Sequence, residues 1–348
     1  MPATPTIHNR EPRAKRPRRA RIASLRSHRA SGARFALALA AGAALAPITA
    51  AAATAAPTPA LLNGSAHYSF VTLGDPKDPT FNQLLGINDF GEIAGYFGSG
   101  SPANAHPNKG FTVAPYSANT FTNENFTDSQ QTQVTAINDW GNTVGFYALP
   151  SGANYGLLDE GGVISSVSDP LTTSKPPVDQ LLGLNNNGEA AGFYNDAKGN
   201  SHAYTWDRTT QVFTPVTPPG AASATATAIN DHGAVAGFFT KANGNIVSFI
   251  HQGGTWTTVA VPGSTTTEIF GLNDEGVAVG MYVGQHKQTY GFVYSGGTLK
   301  SVSDPDGTGS TVVNGLNNAG DLVGFYTDAK GNTDGFVASP HLVGIPTV

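Results

Sequence analysis

Apolar residues in this chain come in short alternating runs, cut every few positions by Gly, Asn, Asp or Pro. Runs such as T-W-T-T-V-A-V from Thr255 and T-L-K-S-V-S from Thr298 put successive side chains on opposite faces, the period of a β-strand. The pattern itself repeats. G-I-N-D-F-G-E-I-A-G-Y-F begins at Gly86, A-I-N-D-W-G-N-T-V-G-F-Y at Ala136 and G-L-N-N-N-G-E-A-A-G-F-Y at Gly183. A-I-N-D-H-G-A-V-A-G-F-F follows at Ala228, G-L-N-D-E-G-V-A-V-G-M-Y at Gly271 and G-L-N-N-A-G-D-L-V-G-F-Y at Gly315. Successive copies lie 50, 47, 45, 43 and 44 residues apart.

Each copy predicts four strands. The first ends in I-N-D or L-N-N, and the Asn-x-x-Gly after it supplies an Asx-type turn whose Gly can take φ > 0. The structural turn pairs are Asn88 and Gly91, Asn138 and Gly141, Asn185 and Gly188, Asn230 and Gly233, Asn273 and Gly276, and Asn317 and Gly320. The second strand is the V-x-G-F-Y run. Its adjacent aromatics, such as Phe146 and Tyr147, point to opposite faces and are read as core rather than as a ligand cage. The third strand centres on a small residue followed usually by an aromatic, as at Gly110-Phe111 or Gly335-Phe336, and the fourth is an alternating run.

Four strands in about 44 residues is the period of a propeller blade. The sixth unit ends near Ser339 without a fourth strand, whereas His67 to Pro76 lines up with the fourth strand of unit five. The expected fold is therefore all-β: a six-bladed β-propeller of four-stranded antiparallel blades over residues 67–339, closed by its N-terminal strand.

The I-N-D-x-G-x-x-V-G-F-Y block, with His202-Ala203-Tyr204 varying an H-A-F signature, resembles the extracellular HAF-repeat proteins of bacteria. The resemblance covers about residues 67 to 339 and implies an exported β-rich repeat protein with no particular activity. The signature His is replaced in five units, by Lys109, Tyr155, Val247, Tyr290 and Asp334, which argues against a function needing a ring of six His.

Composition adds the compartment. Ten of the 19 Lys and Arg lie before residue 35, followed by an Ala-rich apolar stretch, Phe35 to Ala56, with A-x-A exits. Residues 1–56 read as a signal peptide with a long basic start, Arg18-Arg19 allowing a twin-arginine route, and 57–66 as a linker. Residues 340–348 are a short tail. The product is expected to be exported to the periplasm or outside the cell, monomeric, and free of the membrane once the leader is cleaved. The exported part keeps nine basic residues against 23 carboxylates, a formal net charge of −14, which excludes nucleic-acid binding through a bulk field. With no Cys, a disulfide scaffold, a Cys-ligated metal and a thiol enzyme are excluded.

Familiar catalytic motifs are missing: there is no His-Glu-x-x-His, no Gly-x-Ser-x-Gly and no phosphate loop. No metal or cofactor is expected, because Asp304-Pro-Asp306-Gly307 lacks the further ligands of a calcium loop and reads as a turn. Charge is the remaining signal. The Asn-x-x-Gly turns carry Asp and Glu only, whereas Lys109, Lys198, Lys241, Lys287 and Lys330 fall between second and third strands, with His106, His202 and His286 beside them and Lys77 and Lys175 in links between units.

Lys109, Lys198, His202, Lys241, Lys287 and Lys330 are accordingly the candidate contacts for an extracellular or cell-envelope glycan or other polymer, held without catalysis through several blades at once. The plainer reading of those lysines is solvated hairpin turns. A second functional reading is a polysaccharide lyase or hydrolase, with His106, or His286 and Tyr290, as base and acid. Its asymmetric features are the long loop of unit one and the link around Asp169, Lys175 and Asp179. A third is a structural envelope protein without soluble ligand. Trp140 and His232, at the variable place of the turn, are alternative contacts at the opposite end.

Overall fold

The computed structural model describes residues 67–98, 108–114, 120–284, 287–308 and 310–340, all within one compact unit. The leader, the linker, His106, His286 and the tail beyond Pro340 lie outside the described residues. The chain is an all-β propeller. After β1 (Tyr68–Thr72) come β2 (Asn82–Ile87), β3 (Ile93–Phe97), β4 (Lys109–Val113) and β5 (Phe121–Asn123), then β6 (Gln131–Ile137), β7 (Thr143–Ala148), β8 (Asn154–Glu160) and β9 (Val163–Val167). Next are β10 (Asp179–Leu184), β11 (Glu189–Asn195), β12 (Ser201–Asp207) and β13 (Val212–Pro215), and β14 (Ser223–Ile229), β15 (Val235–Thr240), β16 (Ile246–Gln252) and β17 (Thr255–Val259). The last seven are β18 (Thr267–Leu272), β19 (Ala278–Val283), β20 (Thr289–Ser295), β21 (Thr298–Val302), β22 (Ser310–Leu316), β23 (Leu322–Thr327) and β24 (Thr333–Pro340).

The first sixteen strands after β1 form four separate four-stranded antiparallel sheets in sequence order. The remaining eight form one sheet made of two antiparallel runs, β18-β19-β20-β21 and β22-β23-β24-β1. A single parallel pair, Thr289 with Ser310, joins them. Isolated parallel bridges at Asn154–Val178, Ile246–Thr266 and Phe81–Thr333 likewise link the third strand of one unit to the entrance of another. In the last of these the partners are the sixth unit and the first.

Local chemistry explains the hairpins. In each first turn the Gly sits at φ between 71° and 85°, a backbone region in which a side chain would be strained. The Asn side-chain oxygen accepts the N–H four residues on in every unit, and in the first four units also the N–H two residues on, as Asn185 does from Asn187 at 3.1 Å and Glu189 at 2.8 Å. Every first hairpin also carries a bulge two residues before the Ile or Leu that precedes this Asn, for example between Leu84 and Gly86. There the first strands of neighbouring units approach closely: a Cβ added to Gly86 would lie 2.8 Å from Ala136 Cα, and one added to Gly315 would lie 2.7 Å from Leu85 O.

Between the sheets, the residue after the small one on each third strand is fully buried: Phe111, Leu157, Tyr204, Phe249, Phe292 and Phe336. The second-strand pairs face both ways. Phe146 clusters with Leu182 and Phe193, whereas its neighbour Tyr147 stacks on Phe126 with ring centroids 3.7 Å apart. Burial of these aromatics on both faces is the main source of cohesion between successive sheets.

Candidate ligand-binding cleft

At the end bearing the first turns, the polar side chains are occupied with one another. The Nδ2 of each turn Asn donates to the backbone oxygen of the next unit's turn Asn, in the order Asn88, Asn138, Asn185, Asn230, Asn273 and Asn317, at 3.0–3.3 Å. The last bond returns to Asn88. A second cycle runs through the following residues: the N–H groups of Asp89, Asp139, Asn186, Asp231, Asp274 and Asn318 each donate to the side-chain Oδ1 of the next, at 2.7–2.9 Å. Asn186 Nδ2 spans the carboxylates of Asp139 and Asp231, and Asn318 Nδ2 those of Asp89 and Asp274. This acidic end is therefore a clasp between units. Trp140 is exposed on it and donates its indole N–H to Asn186 O, while His232 only spends its backbone N–H on Asn230 Oδ1.

At the opposite end, the link end, the lysines do not form a matched set. Lys198 and Lys330 alone share a position, the third residue of D-A-K-G-N turns in which Asp196 and Asp328 each accept the Lys N–H at 2.8 Å. Lys241 opens its turn, bonding to Asn245 O and Gly244 N, and so takes the place of the Asp. Lys109 begins β4 opposite Phe97, and Lys287 has φ 62°. The reading of five lysines between second and third strands as one matched set is thus corrected: only Lys198 and Lys330 present their side chains from the same turn position. Lys77 is engaged, donating to Asn123 Oδ1 at 3.0 Å and lying 3.6 Å from Asp75 Oδ2.

The His of the signature holds a cross-strand position. His202 pairs with Tyr194, their rings stacked at 5.1 Å, and its Nε2 lies 3.1 Å from Asp196 Oδ2. The corresponding Tyr155 and Tyr290 sit against Tyr147 and Tyr282 in the same way, and the Tyr290 hydroxyl donates to Gln288 Oε1 at 2.6 Å. Among the described residues Tyr290 is thus engaged by its neighbour Gln288.

His202 also borders a cleft of about 490 Å³, walled by β12 and β13 of unit three, the entrance to β14 of unit four, and the link at Asp169–Leu171. Tyr194, His202, Tyr204 and Phe213 supply ring surface, and Asp169 is the carboxylate on its wall. Among the described residues no Lys or Arg lines it. Behind it, Asp179 anchors the link by accepting from Tyr204 Oη (2.6 Å), the Asp169 N–H (2.6 Å) and Thr172 Oγ1 (2.8 Å). Burial pushes the Asp179 carboxyl up to about 6 against those hydrogen bonds. Among the described residues no group of three His, Cys, Asp or Glu side chains is disposed to hold a metal. Of the candidate ligand contacts among the described residues, His202 alone lines this cleft, joined by Asp169 of the link that the sequence marks as asymmetric; Tyr194, which the sequence reading passed over, would have been found by asking which residue lies across the strand from His202.

No protein-family model matches the chain, and no curated protein matches it. Among solved structures, AofleA from Arthrobotrys oligospora has a TM-score of 0.50 at 10% identity, over 83% of this chain and 95% of that chain. A triple mutant of the same protein gives 0.50 at 12% identity, over 83% and 96%. The lectin of Aleuria aurantia, described as a six-bladed β-propeller with a novel fucose recognition mode, gives 0.43 at 12% identity over 77% and 99%. At identities this low the likeness to AofleA is one of fold alone.

Proposed function

We propose that the chain is an exported, noncatalytic glycan-binding protein, built as a closed ring of six four-stranded units in which β1 supplies the fourth strand of the last. Ring closure is supported by the two hydrogen-bond cycles that return to Asn88 and Asp89, by the Phe81–Thr333 bridge, and by the antiparallel pairing of β1 with β24 from Tyr68–Pro340 to Thr72–Phe336. The observation that carries the function is the cleft beside His202: it joins aromatic faces, on which a sugar ring stacks, with hydroxyl and carboxylate groups able to fix its orientation. The acidic end has its polar groups tied up between units, so recognition belongs to the link end.

The experiment is a glycan-array screen of residues 60–348, with reducing-end and unsaturated-product assays on every hit. Retention of a glycan without product supports the proposal. Product formation, or no retained glycan, overturns it.

A further inference from the structure

The cleft lies where three hydrogen bonds used elsewhere in the repeat are missing or altered together. The first ties each link to the strand that follows. The N–H of Asp75, Phe126, Asp169, Val261 and Asp304 donates to the side chain of Asn82, Thr132, Asp179, Thr267 and Thr311 respectively, at 2.6–3.2 Å. At the junction of units three and four the same two places hold Pro218, which has no N–H, and Ala224, which has no acceptor. Donor and acceptor have gone as a pair, so nothing is left unsatisfied and the space of the missing side chain is open.

The second concerns the tyrosine near the end of the second strand in units two, three, five and six, where units one and four have Phe97 and Phe239. Tyr147, Tyr282 and Tyr326 bond through their hydroxyls to Ser166, Ser301 and Thr72 on the fourth strand of their own unit, at 2.7–2.9 Å. In unit three the corresponding fourth-strand residue, opposite Tyr204, is Pro215, and the Tyr194 hydroxyl has no hydrogen-bond partner among the described residues. Third, the first N–H of β8, β16 and β24 donates to a backbone oxygen at the entrance of the next unit, whereas Ser201 donates to the side chain of Ser223 at 3.1 Å. Tyr194, Ser201, Pro215, Ser223 and Ala224 all line the one cleft.

We infer that this junction is a single, specialised site for one neutral sugar residue, a reading that rests on the glycan-binding function proposed above and narrows it. The charge balance sets the class. Asp169 lines the cleft with one oxygen accepting the Leu171 N–H and the other without a partner among the described residues, Asp196 stands beside His202, and no described Lys or Arg lines the walls. An anionic sugar would meet like charge, whereas a neutral ring can donate a hydroxyl to Asp169 and accept one from Tyr194. Burial, and then the charges of Asp169, Asp196 and Asp179, raise the Tyr194 pKa, which keeps that hydroxyl a donor. Stacking on Tyr194 and His202 supplies the apolar contact. Because the other junctions for which the link bond is present keep that bond, the ring binds once rather than six times.

The test is calorimetry on residues 60–348 with neutral methyl hexopyranosides and with methyl glucuronoside, run beside the array. One site per chain for a neutral glycoside is expected, with Tyr194→Phe weakening it about tenfold, the worth of one hydrogen bond of ~1.4 kcal/mol. Pro215→Ser, which returns a partner to Tyr194, is expected to weaken binding as well, and Tyr282→Phe to leave it unchanged. Unfolding midpoints confirm that the variants fold. Several equal sites, preference for the uronoside, or an unaltered Tyr194→Phe overturn the single-site inference while an array hit still upholds glycan binding. A blank array overturns both.

Discussion

Glu124 stands where the other units place Leu73, Val167, Val216, Val259 and Val302, all buried. Its N–H bonds to Gly110 O just as that of Val216 bonds to Ala203 O, so its side chain enters a slot that is apolar in the other units, and among the described residues its hydrogen-bond partner is the Thr143 hydroxyl, which donates to it. Burial pushes its carboxyl from 4.5 up to about 7, with the Thr143 bond opposing and the charge of Asp159 adding. A folded-state value above the unfolded one means that the native protein holds the proton more tightly. The stability contributed by the neutral form is full below pH 4.5 and is lost as pH rises through about 7. The gap, at ~1.36 kcal/mol per pH unit, comes to roughly 3 kcal/mol. Glu124→Gln keeps an acceptor for Thr143 and cannot ionise. Urea unfolding at pH 5 and pH 8, followed by tryptophan fluorescence, is expected to show the variant close to the parent at pH 5 and more stable by roughly 3 kcal/mol at pH 8. An equal difference at both pH values, or a less stable variant at pH 8, would refute the argument.

The other expectations concern the clasp, the close approach, and the lysines. Asn185→Ala removes an acceptor of two turn N–H groups and a donor to Asn230 O, and should lower stability by about 2–4 kcal/mol in the same urea assay. Gly183→Val puts a side chain where even a Cβ would lie 2.8 Å from Ala228 Cα, so soluble yield and unfolding midpoint should both fall; an unchanged midpoint would contradict the packing described. Starting the chain after Pro76 removes β1 and leaves β24 an unpaired edge, with aggregation on light scattering as the expected result. Lys198→Ala and Lys330→Ala, both exposed, should retain glycan affinity, whereas equal losses from the two would return recognition to the lysine turns.

Most of the architecture is legible in the sequence because it repeats. Asn at the turn and Gly three residues later meet one geometric demand six times over, and the small-aromatic pair on the third strand does so five times, so that repetition separates demand from accident. The lysines misled because a count of residues between strands does not say which turn position a side chain holds, and Lys198 and Lys241 stand two turn positions apart. The site was hidden for a different reason. Its signals are absences, Pro215 for Ser or Thr, Pro218 for a donor and Ala224 for an acceptor, and each resembles ordinary variation until the structure places Pro215 and Ala224 on one cavity. His202 was visible as a signature, but its stacking on Tyr194 follows from the pairing of β11 with β12. Glu124 lay unremarked in an alternating run, since only the ring of buried aliphatics at that place in the other units marks a carboxylate there as anomalous.

The most direct measurement is a crystal structure of residues 60–348 with the strongest array ligand. One ligand in the cleft between β13 and the entrance to β14, stacked on Tyr194 and within hydrogen-bond distance of its hydroxyl and of Asp169, is the expected result. A ligand seated on the acidic turn end, or copies spread over the Lys198 and Lys330 turns with the cleft empty, would contradict it.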